Sequence, residues 1–216
     1  MINKQYAVLG LGRFGSSVAL TLADAGCEVL AVDSDEEKVQ ELADHVTYAV
    51  TADVTEPGVL ESLSVSNIDI AVIGIAGNME DSILATILAK EAGAGYVIAK
   101  AMSEIHGTIL EKVGADKVIY PERDSGIRLA KNLVSGNFME FFALSDTYSI
   151  AELKVPRAWS GKSLKELDLR KNLGLNVIGV MMEKKTVVNV DPDTPLEETW
   201  TAIVVGDNRD LQRIPQ

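Results

Sequence analysis

The sequence predicts an α/β fold in which a doubly wound parallel sheet is followed by a small α+β domain at the C-terminal end. The first observation is an apolar segment at residues 6–9 that runs directly into the turn Gly10-Leu11-Gly12-Arg13-Phe14-Gly15. The second is that strand and helix patterns continue to alternate as far as residue 120. The third is a change after about residue 146 to short strands of alternating polarity, which is typical of a separate small domain.

The turn has the GxGxxG spacing that is typical of Rossmann-type nucleotide-binding folds, and a helical pattern follows it at residues 16–25. In this motif Gly10 permits a tight turn, Gly12 lets a pyrophosphate approach the backbone, and Gly15 lets helix and strand pack closely. The N–H groups at the start of the helix, around Arg13 and Phe14, offer hydrogen bonds and a partial positive charge to phosphates. We therefore expect a bound adenine nucleotide at this turn.

A carboxylate follows at Asp33, where the second predicted strand, residues 27–32, ends. Its offset from the last glycine is close to the ~20 residues at which an acid contacts the ribose hydroxyls. We therefore predict that Asp33, with Ser34, binds the ribose, and the negative charge argues against a 2′-phosphate and hence against NADP. The alternative is that Asp33 only begins the next helix, with Ser34 or Asp35 as its N-cap.

The other elements of the sheet follow in alternation. Strands are predicted at residues 46–50, 70–75, 96–99 and 117–120, and helices at residues 35–43, 56–63, 79–92 and 104–113. Gly93 and Gly114 follow two of these helices, where glycine commonly ends a helix in the left-handed conformation. Six strands with five connecting helices make a doubly wound sheet, and ligands of such sheets bind at the carboxyl ends of the strands.

The pattern changes near Asp124. One more helix is predicted from the apolar spacing of Ile127, Leu129, Ala130 and Leu133, and Gly136-Asn137 ends it. The apolar segment 137–144 contains three of the chain's four phenylalanines, Phe138, Phe141 and Phe142. A monomer would have difficulty burying this cluster, so it belongs either to the core of a second domain or to a subunit contact, and we favour the contact.

The remainder of the chain predicts a small domain of about 70 residues that dimerises, since a domain of this size is near the lower limit for a core of its own. Strands are predicted at residues 150–155, 176–182, 186–190 and 201–205, with a turn at Asp191-Pro192-Asp193. The expected organisation is a nucleotide-binding domain at residues 1–122, a crossover helix with a dimerisation linker at 123–145, and a C-terminal domain at 146–216.

Composition limits the classes of partner. The 216 residues carry a formal net charge of −12 without a basic run, so nucleic acids and anionic lipids would be repelled. Cys27 is the single cysteine, which excludes a disulfide or a cysteine-based metal site within one chain. There is no signal peptide and no apolar run near the ~18 residues that cross a bilayer, so we expect a cytoplasmic protein.

Taken in order, these residues resemble the RCK proteins, the regulators of potassium conductance. The resemblance is carried by GLGRFG, Asp33, Gly74-Ile75-Ala76-Gly77-Asn78, Lys100 and Glu122, and in the tail by Gly161-Lys162-Ser163-Leu164 and Asp191-Pro192-Asp193-Thr194-Pro195. It covers essentially the whole chain and is closest to the free-standing cytosolic subunits of Ktr- and Trk-type potassium uptake systems. It implies a homodimer that assembles into an octameric ring, binds ATP or ADP, and gates a membrane potassium-translocating subunit.

The resemblance also implies roles for particular residues. Arg13 would contact the phosphates and favour ATP and ADP, whereas its alternative is a surface arginine paired with an acid such as Asp35. Asp53 follows the third strand and would lie near adenine and ribose. The same is expected of the residues after the fourth strand, Ala76, Gly77 and Asn78.

Two further site residues come from the resemblance alone. Lys100 would lie near the nucleotide, although a lysine at the end of a strand is often only solvated. Glu122 would reach a Mg, Ca or Na ion at the phosphates of a neighbouring subunit. An isolated glutamate is otherwise a solvated surface residue.

In some Ktr relatives the C-terminal domain binds cyclic di-AMP across its dimer interface. Leu164, Arg170 and Pro192 lie in comparable places and are the candidates for such a second ligand. The alternative places Leu164 in the core and Arg170 on the surface. The stretch Glu197-Glu198-Thr199-Trp200 lacks the glycine and aspartate usual before the last strand of this domain, and so departs from the family pattern at that turn.

The alternative functions are an NAD-dependent oxidoreductase and a Trk-type regulator that senses NADH against NAD. An oxidoreductase needs a proton donor or base beside the nicotinamide. His45 precedes the third strand and His106 lies within a helix, and the single Tyr-xxx-Lys spacing, Tyr96 with Lys100, falls on a strand where the two are too far apart for joint proton transfer. No metal-ligand spacing or nucleophile elbow is found, so we expect a protein that is not an enzyme.

Overall fold

The computed structural model describes residues 4–75, 77–134, 138–145, 147–183, 185–211 and 213–214. The chain divides into two compact units, Met1–Arg123 and Asp124–Gln216. Within the described residues, no helix combines the length and the apolar character that a bilayer span requires.

The first unit is built on a parallel sheet of six strands: β1 (Gln5–Leu9), β2 (Glu28–Asp33), β3 (Tyr48–Thr51), β4 (Ile70–Ile73), β5 (Tyr96–Lys100) and β6 (Lys117–Ile119). Their order across the sheet is β3-β2-β1-β4-β5-β6. The winding direction therefore reverses between β1 and β4, and a crevice forms there at the carboxyl ends of the strands. The predicted doubly wound Rossmann-type sheet is confirmed.

Helices flank this sheet on both faces: α1 (Arg13–Asp24), α2 (Glu36–Ala43), α3 (Val59–Ser62), α4 (Met79–Glu91) and α5 (Glu104–Lys112). Successive residues of β1 show why both faces must be covered, because Ala7 and Leu9 belong to one buried cluster and Val8 to another. A strand that is buried on both faces has a continuous apolar sequence, as the segment 6–9 has.

Two helices differ in length from the sequence prediction. The helix expected at residues 56–63 is only the single turn α3, because Gly58 before it (φ 84°) and Ser64 after it (φ 56°) are in the left-handed conformation. Conversely, α6 (Pro121–Val134) begins well before the apolar pattern at Ile127. Proline suits the first helical position, since its missing N–H has no helical partner there. Glu122 therefore lies in the first turn of a helix.

The second unit contains an antiparallel sheet of five strands: β7 (Phe138–Ala143), β8 (Tyr148–Lys154), β9 (Asn176–Met182), β10 (Lys185–Val188) and β11 (Thr201–Asp207). Their order is β10-β9-β11-β8-β7. Three short helices accompany the sheet, α7 (Leu164–Leu167), α8 (Leu169–Leu173) and α9 (Asn208–Leu211), around a core that includes Leu153, Trp159 and Leu196. The predicted α+β character of this region is confirmed.

The aromatic segment forms the edge strand β7, which pairs with β8. Phe142 is 45% exposed. The side chains of Phe138 and Phe141, and the predicted helix end at Gly136-Asn137, lie outside the described residues. The subunit contact expected here stays a prediction.

Two turns of the second unit are formed by local hydrogen bonds. At the first, the Asp193 N–H donates to Asp191 Oδ1 at 3.1 Å, as expected for an Asp-Pro-Asp turn. At the second, the Trp200 N–H donates to the carbonyl oxygen of Glu197 at 3.0 Å. The atypical stretch before the last strand therefore still makes a turn.

The junction of β5 and β6 depends on one carboxylate. Asp116 Oδ2 accepts the Val97 N–H at 2.7 Å and the Lys90 ammonium at 3.0 Å. The Val97 N–H is the largest cause that holds the pKa of Asp116 below its ordinary value of 3.8, and Lys90 adds to it. Because about a third of each of the charged side chains is exposed, solvent screens the ion pair and the backbone hydrogen bond matters most.

We predict that Asp116→Ala lowers the free energy of unfolding at pH 7 by about 1–2 kcal/mol, because the Val97 N–H loses its acceptor. The folded pKa lies below the unfolded value, so this stabilisation is complete above the unfolded pKa and is lost as the pH falls through the folded pKa. Urea unfolding of both proteins between pH 7 and pH 3 measures the difference.

Asp24→Ala is the matched control, because Asp24 is an exposed acid at the end of α1 and has no partner among the described residues. We expect it to change stability by less than about 0.5 kcal/mol. A loss for Asp116→Ala that stays constant below pH 4 would contradict the role of the ionised carboxylate.

Candidate functional site

A cavity of about 480 Å³ lies at the carboxyl ends of the parallel strands in the first unit. This volume is within the range of small-molecule sites in proteins. Ten of the predicted site residues line it: Gly10, Gly12, Arg13, Phe14, Asp33, Ser34, Asp53, Gly77, Lys100 and Glu122. They come from the ends of β1 to β6, so the sheet brings together residues that are far apart in the chain.

The glycine-rich turn is built around the carbonyl oxygen of Gly10. A Cβ on Gly15 would lie 1.9 Å from this oxygen, and a Cβ on Gly74 would lie 2.6 Å from it. Gly10 itself has φ +96°, a conformation that favours glycine. Gly15 therefore allows the close contact between α1 and β1, but it does not line the cavity.

Gly12 differs from the other glycines of the turn. It is the N-cap of α1, no side chain caps the helix, and no heavy atom lies within 4 Å of the position that a Cβ would take. The backbone here is therefore accessible to a ligand, and uncapped N–H groups at a helix start favour an anion.

Arg13 is the first residue of α1 and its side chain is exposed at the cavity. The alternative partner considered for it, Asp35, instead contacts Lys38, with Nζ to Oδ2 at 3.4 Å. Among the described residues, no carboxylate is within ion-pair distance of the Arg13 guanidinium. Its five N–H donors are therefore available to a phosphate.

Asp33, the last residue of β2, is held by the surrounding backbone. Its Oδ2 accepts the Leu11 N–H at 2.6 Å and its Oδ1 accepts the Asp35 N–H at 2.9 Å. Asp35 caps α2, because its own carboxylate accepts the Glu37 N–H at 3.1 Å. Asp33 thus joins the glycine-rich turn to the end of β2, and a carboxylate with two such bonds retains lone pairs for a ribose hydroxyl.

Lys38 is a cavity residue that the sequence analysis missed. Its Nζ lies 3.4 Å from Asp33 Oδ1, and it lines the cavity from the first turns of α2. Burial alone would lower the pKa of Lys38, but the carboxylates of Asp33 and Asp35 raise it. The sequence feature that could have indicated Lys38 is its position three residues after Asp35, because this is a favourable ion-pair spacing on a helix.

Asp53 lines the cavity after β3 and is engaged within its own turn. Its Oδ1 accepts the hydroxyl of Thr55 at 2.6 Å and the Thr55 N–H at 2.9 Å. The hydroxyl, followed by the N–H, holds the pKa of Asp53 below its ordinary value. The carboxylate is therefore ionised and fixed in orientation at neutral pH.

Of the predicted site residues after β4, one lines the cavity and another does not. Gly77 lines the cavity, whereas the Asn78 side chain caps α4 by accepting the Glu80 N–H at 2.9 Å and does not line it. Ala76 lies outside the described residues. Asp81, in the first turn of α4, lines the cavity and was not predicted, because an acid there is also what ordinary helix capping favours.

Lys100, at the end of β5, is the most buried charged residue of the cavity. Its side chain is 8% exposed, and its Nζ lies 2.5 Å from Glu122 Oε1 and 5.7 Å from the centroid of the Phe14 ring. The Lys100 ammonium holds the pKa of Glu122 below its ordinary value. Glu122 therefore meets a cation of its own chain.

The described residues contain no group of three or more His, Cys, Asp or Glu side chains arranged to hold a metal ion. In the second unit, Leu164 packs on the core and the Lys165 N–H donates to the carbonyl oxygen of Pro192 at 3.0 Å, which brings Pro192 to α7. Arg170 is exposed on α8, without a hydrogen-bond or ion-pair partner in the described part of the chain.

A family model for the TrkA-N domain matches residues 6–121, and one for the TrkA-C domain matches residues 149–214. The Ktr system potassium uptake protein C of Bacillus subtilis (strain 168) is 36% identical over 212 residues, which cover 98% of this chain and 96% of that protein. The Ktr system potassium uptake protein A of Vibrio alginolyticus is 39% identical over 204 residues, which cover 94% of this chain and 93% of that protein.

Solved structures give the same fold. The GsuK RCK domain aligns with a TM-score of 0.65 at 19% identity, over 97% of this chain and 46% of that chain. The GsuK channel bound to NAD aligns with a TM-score of 0.64 at 19% identity, over 97% of this chain and 38% of that chain. This chain therefore spans less than half of each of these solved chains.

We predict that Gly15→Ala lowers the free energy of unfolding by at least about 3 kcal/mol or prevents folding, because its Cβ would overlap the Gly10 carbonyl oxygen. Gly12→Ala is the matched control, since its Cβ meets no atom within 4 Å and its φ is −71°. It is expected to cost at most about 1 kcal/mol.

Urea unfolding monitored by circular dichroism measures both variants. Equal losses of stability in the two variants would contradict the assigned difference between the two glycines.

Proposed function

This chain belongs to the RCK family, with a TrkA-N and a TrkA-C domain, and we propose that it is a cytoplasmic regulatory subunit that binds an adenine nucleotide and gates a membrane potassium-translocating partner. The observation that carries the proposal is the cavity at the switch point of the parallel sheet. It joins an open glycine backbone, an arginine at a helix start and the acid that ends β2.

The features of the cavity fit the phosphates and the ribose of an adenine nucleotide. The accessible Gly12 backbone and the start of α1 suit the phosphates, and Asp33 suits the ribose diol. The guanidinium of Arg13, which has no ion-pair partner among the described residues, suits a terminal phosphate, because its donors match phosphate oxygens in a bidentate geometry. This supports ATP and ADP as the ligands.

NAD or NADH is the alternative ligand. Asp33 would serve the adenosine ribose of either dinucleotide, and the GsuK channel of similar fold is bound to NAD. The distinguishing residue is Arg13, since a dinucleotide has no terminal phosphate to place against it. The same cavity would then make the chain a sensor of the NADH to NAD ratio.

The histidines support a regulator over an oxidoreductase. His45 is exposed before β3, and His106 is fully buried in α5, where its Nδ1 accepts the Met102 N–H at 3.3 Å. Neither lines the cavity. Tyr96 and Lys100 stand at opposite ends of β5, about 13 Å apart along the strand, so they do not form a proton-transfer pair.

The residues of one chain do not by themselves fit the Mg, Ca or Na ion expected at Glu122. Glu122 offers one carboxylate, which is paired with Lys100, whereas these cations take six or more oxygen ligands. A bound cation is therefore not part of the proposed function. The proposal of cyclic di-AMP at Leu164, Arg170 and Pro192 likewise depends on a second copy of the C-terminal unit.

Gating requires that the ligand bind two conformations of the assembly with unequal affinity. We propose a homodimer that assembles into an octameric ring, with residues 1–122 holding the nucleotide, 123–145 linking and dimerising, and 146–216 forming the C-terminal domain. A terminal phosphate held by Arg13 would then separate the ATP state from the ADP state.

The test of this function is calorimetric titration of the purified protein with ATP, ADP, NAD and NADH, with the mass of the assembly recorded in each state. Tight binding of ATP and ADP to a ring supports the proposal. Selective binding of NAD or NADH indicates the redox sensor, and turnover of a substrate with NAD indicates an oxidoreductase.

We predict that Arg13→Ala reduces the preference for ATP over ADP by about tenfold, because it removes charge-assisted hydrogen bonds to the terminal phosphate. ADP affinity should change less. Arg157→Ala is the control, since it removes an equal charge from an 88% exposed side chain of the second unit. An unchanged ratio of ATP to ADP affinity in Arg13→Ala would exclude the role of Arg13.

A further inference from the structure

The ion pair of Lys100 and Glu122 is asymmetric in burial. The Lys100 side chain is 8% exposed, whereas the Glu122 side chain is 71% exposed, although their charged atoms are 2.5 Å apart. A buried ammonium without a partner is costly, so Lys100 needs an anion beside it at all times. Glu122 has no such need, because water solvates it fully once it is released.

The Lys100–Glu122 pair lies beside the predicted phosphate site at the start of α1. Lys100 Nζ lies 5.7 Å from the ring of Phe14, and the backbone of Phe14 belongs to the first turn of α1. Lys100, Glu122, Gly12 and Arg13 all line the same cavity. A phosphate at the start of α1 would therefore be a close competitor for the Lys100 ammonium.

Two other carboxylates of the cavity, Asp33 and Asp53, are held by backbone groups. Asp33 accepts the N–H groups of Leu11 and Asp35, and Asp53 accepts the N–H and the hydroxyl of Thr55. Asp33 also contacts the cavity lysine Lys38, but it keeps both N–H donors without that contact. Among the described residues, the side-chain partner of Glu122 is the Lys100 ammonium, which itself faces the cavity. When a polyphosphate adds negative charge, Glu122 can therefore withdraw at a lower cost than Asp33 or Asp53.

We propose that Glu122 is an intramolecular competitor of the nucleotide, whose phosphate replaces it as the partner of Lys100 and thereby frees the first turn of α6. This inference rests on the proposed function. The exchange keeps Lys100 paired in both states and returns Glu122 to water.

The exchange also gives the nucleotide a physical connection to the rest of the chain. Glu122 is the second residue of α6, and α6 continues past residue 123, where the first unit ends. Occupancy of the cavity would therefore change the contacts that hold the start of the linking helix. A ligand that alters these contacts binds two conformations unequally, which is the condition for control.

The test is a titration of ATP and ADP, without divalent cations, into the wild type, Glu122→Gln and Glu104→Gln. Glu104 is the matched control, because it is a 78% exposed glutamate that pairs with Arg123, the neighbour of Glu122, and does not line the cavity. Both variants remove one negative charge from the same region.

We expect Glu122→Gln to bind both nucleotides about three- to tenfold more tightly than the wild type, because the competing carboxylate is gone. Glu104→Gln should bind as the wild type does. Equal or weaker binding by Glu122→Gln, or an equal gain in Glu104→Gln, overturns the exchange and leaves the nucleotide site intact. Absence of binding in all three proteins overturns the proposed function as well.

Hydrogen–deuterium exchange of peptides that cover the start of α6 gives a second readout. In the wild type, ATP should increase exchange in the first turns of α6, and in Glu122→Gln that exchange should already be high without nucleotide. Unchanged exchange in the wild type under saturating ATP overturns the release of α6.

Discussion

The close contact between α1 and β1 at the carbonyl oxygen of Gly10 is the constraint on which the rest of the first unit depends. Positions 15 and 74 leave no room for a side chain beside this oxygen, since a Cβ would lie 1.9 Å or 2.6 Å from it. The contact puts the start of α1 at the point where the winding of the sheet reverses. The backbone of Gly12 and the side chain of Arg13 consequently face the cavity, where a helix N-terminus attracts an anion.

The cavity collects positively charged side chains although the chain as a whole is negatively charged. The whole chain carries −12, yet Arg13, Lys38 and Lys100 converge at one edge of the sheet. Lys38 and Lys100 each contact a carboxylate, so each of these two charges is balanced by an acid of the same chain. Asp33 is fixed in addition by two backbone N–H groups, whereas Glu122 is mostly exposed and is held by the Lys100 ammonium.

The proposed function needs a ligand cavity that is joined to the rest of the chain. Asp33, Asp53 and Arg13 present charged groups to the cavity. Helix α6 starts at Pro121, directly after the sheet, and ends at Val134, so the residues that line the cavity are covalently continuous with the helix that leads to the second unit. Under the proposed function, ligand binding would change the contacts of α6.

The sequence by itself determined the fold class and the part of the cavity that the glycine turn and Asp33 form. Glycine spacing, continuous apolar strands and an acid at the end of β2 are local signals, because each reflects backbone geometry or burial within a few residues. Resemblance to a known family added Lys100 and Glu122, but not that they pair with one another. Only the tertiary structure decided that pair, the place of Lys38 and Asp81 in the cavity, and the early start of α6. The pair joins residues 22 positions apart at the ends of β5 and β6, and no local pattern records which of several possible partners a charged side chain meets.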